Sequence, residues 1–176
     1  MTGEQRDPVE SHREQGRSPG LGFALVTVSD SRRQGEDGSG ALARRLVAEA
    51  GHRVAGARIV RDETASIREA VEAFLGDPGC DVVLLTGGTG VAPRDRTPEA
   101  VVPLFERELP GFGELFRTLS FAEIGPAAML SRATAGVARG RALFLLPGSP
   151  AAGELALSRL VLPEVGHLLA QARRAD

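Results

Sequence analysis

Apolar and polar positions fall into blocks along this chain, and the period of the blocks switches in a regular order. Phe23-Ala24-Leu25-Val26-Thr27-Val28 is a continuous apolar run, the pattern of a strand covered on both faces. Leu42, Leu46, Val47 and Ala50 then recur at helical spacing and stop at Gly51, which predicts a first helix. Val54 to Val60 predicts a second, more mixed strand. Ile67, Val71, Phe74 and Leu75 share one face of a second helix that ends at the Asp77-Pro78-Gly79 turn. Val82 to Leu85 predicts the third strand. Thr97 as N-cap, with Pro98 at the first helical position, opens a third helix whose face is Val101, Leu104, Phe105 and Leu109.

Beyond Pro110-Gly111 the pattern loosens. Phe112, Leu115, Phe116 and Leu119 predict a short helix, and Ser120-Phe121-Ala122-Glu123 reads as a capping box that starts another turn. Thr134 to Ala138 and Ala142 to Leu146 predict two strands joined as a hairpin through Arg139-Gly140-Arg141. Ser149-Pro150 opens the last helix, carrying Leu157, Leu160, Val161, Val165, Leu168 and Leu169 and bent or restarted at Pro163. Strands alternating with helices predict an α/β fold, a three-layer α/β/α domain. Its sheet is doubly wound and mostly parallel, with one antiparallel hairpin strand. Residues 1–20 are polar and aperiodic and are expected to form a disordered tail, leaving residues 21–173 as a single domain.

Composition narrows the chemistry. An apolar fraction of 42% in 176 residues is enough for one well-buried core. No apolar stretch approaches the ~20 residues of a membrane helix, and no charged-then-apolar leader is read at the N-terminus. The single cysteine, Cys80, offers neither an internal disulfide nor a zinc cluster. The expectation is a cytoplasmic protein with no membrane partner. A net charge of −2 without Trp or Tyr does not suit nucleic acid as a partner. All 21 basic residues are arginine. The absence of lysine excludes a Walker-type phosphate loop and Schiff-base or lysine-adenylate chemistry.

In doubly wound sheets ligands bind beyond the carboxyl ends of the strands. The residues expected there are Ser29, Asp30 and Ser31 after the first strand, Asp62 and Glu63 after the second, the Thr86 to Asp95 loop after the third, and Pro147-Gly148-Ser149-Pro150 after the hairpin. These four segments should converge on one rim. Gly87, Gly88 and Gly90 permit positive φ and let backbone N–H groups face an anion. Thr86, Thr89 and Ser149 add hydroxyls, and the helix starts at Thr97 and Ser149 add positive dipole ends. Asp62 and Asp95 are carboxylates beside that anion site. Mg²⁺ held between them would relieve the repulsion, because it favours one or two carboxylates plus phosphate oxygens, and the pattern then favours phosphoryl or nucleotidyl transfer. Two plainer readings stand beside this one: Asp62 as the cap of the next helix, and Asp95 as a partner within its own loop.

Eight segments in order resemble the molybdopterin adenylyltransferase family, the MoaB/Mog domain of molybdenum cofactor biosynthesis. They are Thr27-Val28-Ser29-Asp30, Asp37-Gly38-Ser39-Gly40, Thr86-Gly87-Gly88-Thr89-Gly90, Pro93-Arg94-Asp95, Thr97-Pro98-Glu99-Ala100, Pro110-Gly111-Phe112-Gly113-Glu114, Met129-Leu130-Ser131-Arg132 and Leu146-Pro147-Gly148-Ser149-Pro150. The resemblance spans Gly22 to Leu169, and Phe112 to Arg132 looks closer to the MoaB branch than to Mog. It implies Mg²⁺-dependent transfer of AMP from ATP, as co-substrate, to the terminal phosphate of molybdopterin, with release of pyrophosphate. It implies a homotrimer or hexamer. It also implies that Asp62 and Asp95 are the catalytic pair, and that Ser29, Asp30, Thr86, Gly87, Gly88, Thr89, Gly90, Ser131, Pro147, Gly148 and Ser149 bind substrate or nucleotide. Some MoaB-type members lack these acids. A non-catalytic molybdopterin-binding oligomer is therefore the alternative, and the presence of both aspartates favours the enzyme. Arg96 departs from the family, which usually has an apolar residue there.

Overall fold

A computed structural model describes residues 20–30 and 37–174. The expected tail, apart from Gly20, and the candidate residue Ser31 lie outside these. One six-stranded sheet runs through the domain in the order β2-β1-β3-β6-β5-β4. Its strands are β1 (Gly22–Val28), β2 (Arg53–Val60), β3 (Val82–Thr86), β4 (Arg107–Glu108), β5 (Thr134–Ala138) and β6 (Arg141–Leu146). β2, β1, β3 and β6 are parallel, with Phe23 opposite Val82 and Val82 opposite Ala142. β5 pairs antiparallel with β6, and β4 pairs antiparallel with β5, so β5 alone runs against the other strands, as the one antiparallel hairpin strand expected. The expected α/β class and its three layers are observed.

The helices are α1 (Gly38–Glu49), α2 (Thr64–Gly76), α3 (Thr97–Val101), α4 (Pro110–Ile124), α5 (Pro150–Ala156) and α6 (Leu162–Ala172). One face of the sheet packs Phe23, Leu25, Leu84 and Phe144 against Val47 of α1, Phe112 and Phe116 of α4, and the last helical run. The other packs Ala24, Val26, Val83 and Leu85 against Ile67, Val71 and Phe74 of α2 and Ala100 and Val101 of α3. The central strands are buried on both sides because their successive side chains feed opposite cores. Among the described residues no helix is long and apolar enough to cross a membrane.

Two local expectations are corrected, and the expected restart of the last helix is located. The third helix does not reach Leu109. It stops at Val101, passes through a 3₁₀ turn at Val102–Leu104, and gives way to the short strand β4. Phe105 and Leu109 pack on opposite faces of the sheet, which one helix face cannot do. The N–H groups of Glu106 and Leu109 bond to Val137 and Ala135 of β5 at 2.9 and 2.8 Å. Ser120 does not start a turn either. It is buried inside an unbroken α4, on the stripe that begins with Phe112 and Phe116. The last helix is restarted through a π turn at Leu157–Val161. Leu157, Val161, Val165 and Leu169 are all buried at steps of four. Each such step overshoots a straight α-helix by about 40°, and a wider turn absorbs the drift. Pro163, which has no N–H to donate, follows directly.

At the amino edge of the sheet Asp81 gathers four elements. Its carboxylate accepts the Gly22 N–H at 2.8 Å and the Arg173 guanidinium at 2.7 Å. Its own N–H donates to Gly22 and its carbonyl accepts Ala142 N–H. Burial pushes the carboxyl up, but the Gly22 bond and the Arg173 bond and charge outweigh it and hold it below the usual carboxylate range. A carboxyl depressed on folding contributes stability above its unfolded value that is lost as pH falls through the folded one. Asp81→Ala is expected to lower stability at neutral pH by about 1–3 kcal/mol. It should also flatten the loss of wild-type stability below about pH 4, as read by urea unfolding at both pH values.

Candidate active site

The carboxyl ends of the four parallel strands share one rim. Ser29 N–H bonds to Val60 O at 2.9 Å, and Gly87 N–H bonds to Leu146 O at 2.9 Å. Asp62 N–H bonds to Asp30 Oδ1 at 3.1 Å. Gly87 has φ +104° and Gly88 φ +63°. A β-carbon on Gly87 would run into the Val28 carbonyl, and one on Gly148 would lie 3.3 Å from Gly87 Cα. Three strand ends therefore meet where no side chain fits. Ser29, Asp30, Asp62, Thr86 to Gly90 and Pro147 to Ser149 are brought together as expected.

Within the loop the carbonyls are tied back. Gly87 O accepts Thr97 Oγ1 at 2.8 Å. Gly88 O accepts Thr97 N–H at 3.0 Å and Thr89 O accepts Arg132 N–H at 2.9 Å. Gly90 O accepts Arg132 Nε at 2.7 Å. The N–H groups of Gly88, Thr89 and Gly90 make no hydrogen bond among the described residues. A run of tied carbonyls with unbonded amides between them suits an anion. Thr86, 4% exposed, adds a hydroxyl with no partner among the described residues, and a buried polar atom of this kind calls for a ligand or water.

The two aspartates flank this loop. A β-carbon on Gly88 would lie 2.7 Å from Asp62 Oδ2, and one on Gly90 would lie 2.7 Å from Asp95 Oδ2. Asp62 Oδ1 accepts Arg96 N–H at 2.9 Å, and Asp95 Oδ2 accepts Ala92 N–H at 2.9 Å. Asp95 thus does bond within its own loop, whereas Asp62 makes no side-chain cap to α2, whose N-cap position is Glu63. Each carboxylate keeps its other oxygen without a protein partner among the described residues. These residues contain no group of three or more His, Cys, Asp or Glu able to hold a metal. Two carboxylates with one spare oxygen each fit Mg²⁺, which completes its shell with phosphate oxygens and water.

Burial pushes the Asp62 carboxyl above the usual carboxylate range. The Arg96 N–H bond opposes this, the charges of Asp95 and Asp30 reinforce it, and Arg94 pulls the other way.

Several site features were not expected. Thr97 is not an N-cap; Arg96 holds that position without a side-chain bond, and Thr97 is spent holding the glycine carbonyls. Its helix is only five residues long, so its dipole is small. The Ser149 cap is observed, with Ala152 N–H bonded at 3.3 Å. A second capped helix start lies beside it. Asp37 accepts Gly40 N–H at 2.9 Å and Thr27 Oγ1 at 2.6 Å, and Ser39 Oγ donates to Gly148 O at 2.7 Å. The signal was an acid three residues before a glycine at the start of a helical pattern. Ser131 stands one residue from the loop-binding Arg132, with its hydroxyl accepting Ala133 N–H at 3.3 Å.

A family profile described as "Probable molybdopterin binding domain" matches residues 24–167. The chain belongs to this molybdopterin-binding domain family. The molybdenum cofactor biosynthesis protein B of Bacillus subtilis (strain 168) is 49% identical over 151 residues, covering 85% of this chain and 89% of that protein. A crystal structure of a molybdenum cofactor biosynthesis protein B matches with TM-score 0.86 at 45% identity, covering 89% of this chain and 98% of that one. A MogA structure matches with TM-score 0.77 at 28% identity, covering 86% and 99%. Within the family this chain is therefore nearer to these protein B members than to that MogA, in line with its Phe112 to Arg132 segment.

The shared field of the two acids is directly measurable. In Asp95→Asn the Asp62 carboxyl should titrate at a lower pH than in the wild type, followed by carbon-13 NMR of the side-chain carboxyl. An unmoved titration would show that the two carboxylates do not sense each other.

Proposed function

We propose that the protein works in molybdenum cofactor biosynthesis, in the cytoplasm, by transferring AMP from ATP to the terminal phosphate of molybdopterin. The observation that carries this reading is the glycine loop with free amides set between Asp62 and Asp95. The relatives named molybdenum cofactor biosynthesis protein B support the pathway, and the family supports molybdopterin as ligand. A terminal phosphate oxygen of molybdopterin attacks the α-phosphorus of ATP, the bond to the bridging oxygen breaks, and pyrophosphate leaves. The free amides of Gly88, Thr89 and Gly90 hold phosphate oxygens in line, which supplies positioning and charge stabilisation. Asp62 and Asp95 would hold Mg²⁺, which when bound polarises the phosphoryl group and neutralises the departing pyrophosphate. With no lysine available, the amides and this cation would carry much of that charge. The test is incubation with molybdopterin, ATP and Mg²⁺. Adenylylated molybdopterin and pyrophosphate are expected, and Asp62→Asn or Asp95→Asn should each lower kcat by about 100-fold or more while binding of molybdopterin changes little. Tight molybdopterin binding without pyrophosphate release by the wild type would leave the protein as a non-catalytic binder.

The homotrimer or hexamer has its support in one face. Phe121, Ile124, Met129 and Leu130 are all more than half exposed, and they concentrate on the last turn of α4 and the 3₁₀ turn that follows at Gly125–Leu130. Such a contiguous apolar patch suits a subunit contact. Sedimentation should give a trimer or hexamer for the wild type and a monomer for Ile124→Glu combined with Met129→Glu.

A further inference from the structure

The glycine amides and the two aspartates do not account for what holds the outer limb of the loop. From Val91 to Arg94 the chain is exposed. Its internal bonds, Asp95 N–H to Ala92 O and Ala92 N–H to Asp95 Oδ2, close the limb on itself without anchoring it to the body of the domain. The anchor comes from Arg132, which lies 37 residues beyond Asp95 on the segment that enters β5. Its Nε donates to Gly90 O at 2.7 Å, and its Nη2 donates to Asp95 O at 2.9 Å. Nη1 pairs with Glu99, which sits in the first turn of α3. One planar group thus spans both ends of the limb and is braced from a third point. A cavity of about 330 Å³ beside it is lined by Val91 to Pro93, Asp95, Arg96, Glu99 and Arg132.

We propose that Arg132 is a positioning residue: its guanidinium, bonded to the Gly90 and Asp95 carbonyls and braced by Glu99, sets where the Asp95 carboxylate stands against the glycine amides. This rests on the adenylyl-transfer reading for its consequence in catalysis, though not for its effect on the loop. The plainer account is a surface ion pair with Glu99, which would contribute only about 0–1 kcal/mol and would not involve the loop. The two differ in what they require of residue 132. An ion pair needs a positive charge. Spanning two carbonyls and a carboxylate at once needs the fixed fork of donors that arginine has and lysine lacks. The backbone bond from Arg132 N–H to Thr89 O does not depend on the side chain in lysine or glutamine variants, so these isolate the guanidinium.

The test compares wild type, Arg132→Lys, Arg132→Gln and Glu99→Gln. Amide hydrogen exchange comes first, because it needs no activity. In both Arg132 variants the Ala92 and Arg96 amides should exchange about tenfold faster or more, while Leu84 and Leu85 in β3 keep their protection. Glu99→Gln, which leaves both carbonyl bonds, should have the smaller effect. Unchanged loop exchange in Arg132→Lys overturns the proposal, as does an equal rise at the loop and in β3, which would mark general destabilisation. Kinetics follow. A misplacement of order 1 Å should cost about 10–100-fold in kcat with KM for ATP moved less than about threefold. Wild-type kcat in Arg132→Lys overturns the role in catalysis. If the wild type transfers no AMP, the function reading fails by itself, and the exchange result still decides whether Arg132 holds the loop.

Discussion

Gly87 accepts the Thr97 hydroxyl, donates to Leu146 and sits where a β-carbon would strike the Val28 carbonyl. The ends of β1, β3 and β6 can approach this closely only because nothing projects between them. The chain leaving β3 turns there at positive φ, and the next three amides are left without a hydrogen bond among the described residues. The two cores beneath it, one on each face of the sheet, keep the strand ends in register. A loop held at its root by main-chain bonds on both sides has little freedom to lose when a ligand arrives, which is the benefit of preorganisation.

The site meets two electrostatic demands that would cancel if they were mixed. Amides favour negative charge, whereas Asp30, Asp62 and Asp95 repel it and one another. The fold separates them along a single turn: the loop carbonyls bond to Thr97 and Arg132, the amides of Gly88, Thr89 and Gly90 are left unbonded among the described residues, and the acids stand at the flanks. Each acid is held by a single backbone N–H through one oxygen, so the other oxygen stays available. The arginines of this neighbourhood serve different ends. Arg132 binds carbonyls, and Arg96, the unusual residue at its position, contributes its backbone N–H to Asp62.

Most of the scaffold was legible in the sequence. Continuous apolar runs mark the central strands because burial on both faces leaves no room for polar positions. The hairpin was legible from Arg139-Gly140, and both residues take positive φ, at 51° and 68°, as a two-residue turn between twisted strands requires. The glycine loop and its two acids were legible because each residue type has a local reason to be there. What escaped depends on contacts distant in the chain. β4 is two residues long, and only its pairing with β5 distinguishes it from a helix end. Thr97 followed by proline has the local signature of a cap, yet the Gly87 carbonyl, ten residues earlier, claims its hydroxyl. Arg132 lay in a motif whose serine looked like the polar residue of interest. Nothing local tells that the arginine spans 42 residues to reach Gly90.

The lone thiol of the chain is placed at the mouth of the central strand. Cys80 is 1% exposed and its Sγ lies 3.4 Å from the Val82 carbonyl, while burial pushes the thiol up. The sequence has no lysine to compete for an electrophile. A thiol-selective reagent therefore finds no accessible thiol while the centre of the sheet is closed. The molecule carries an internal clock, and the rate at which it takes up such a reagent counts how often its middle opens.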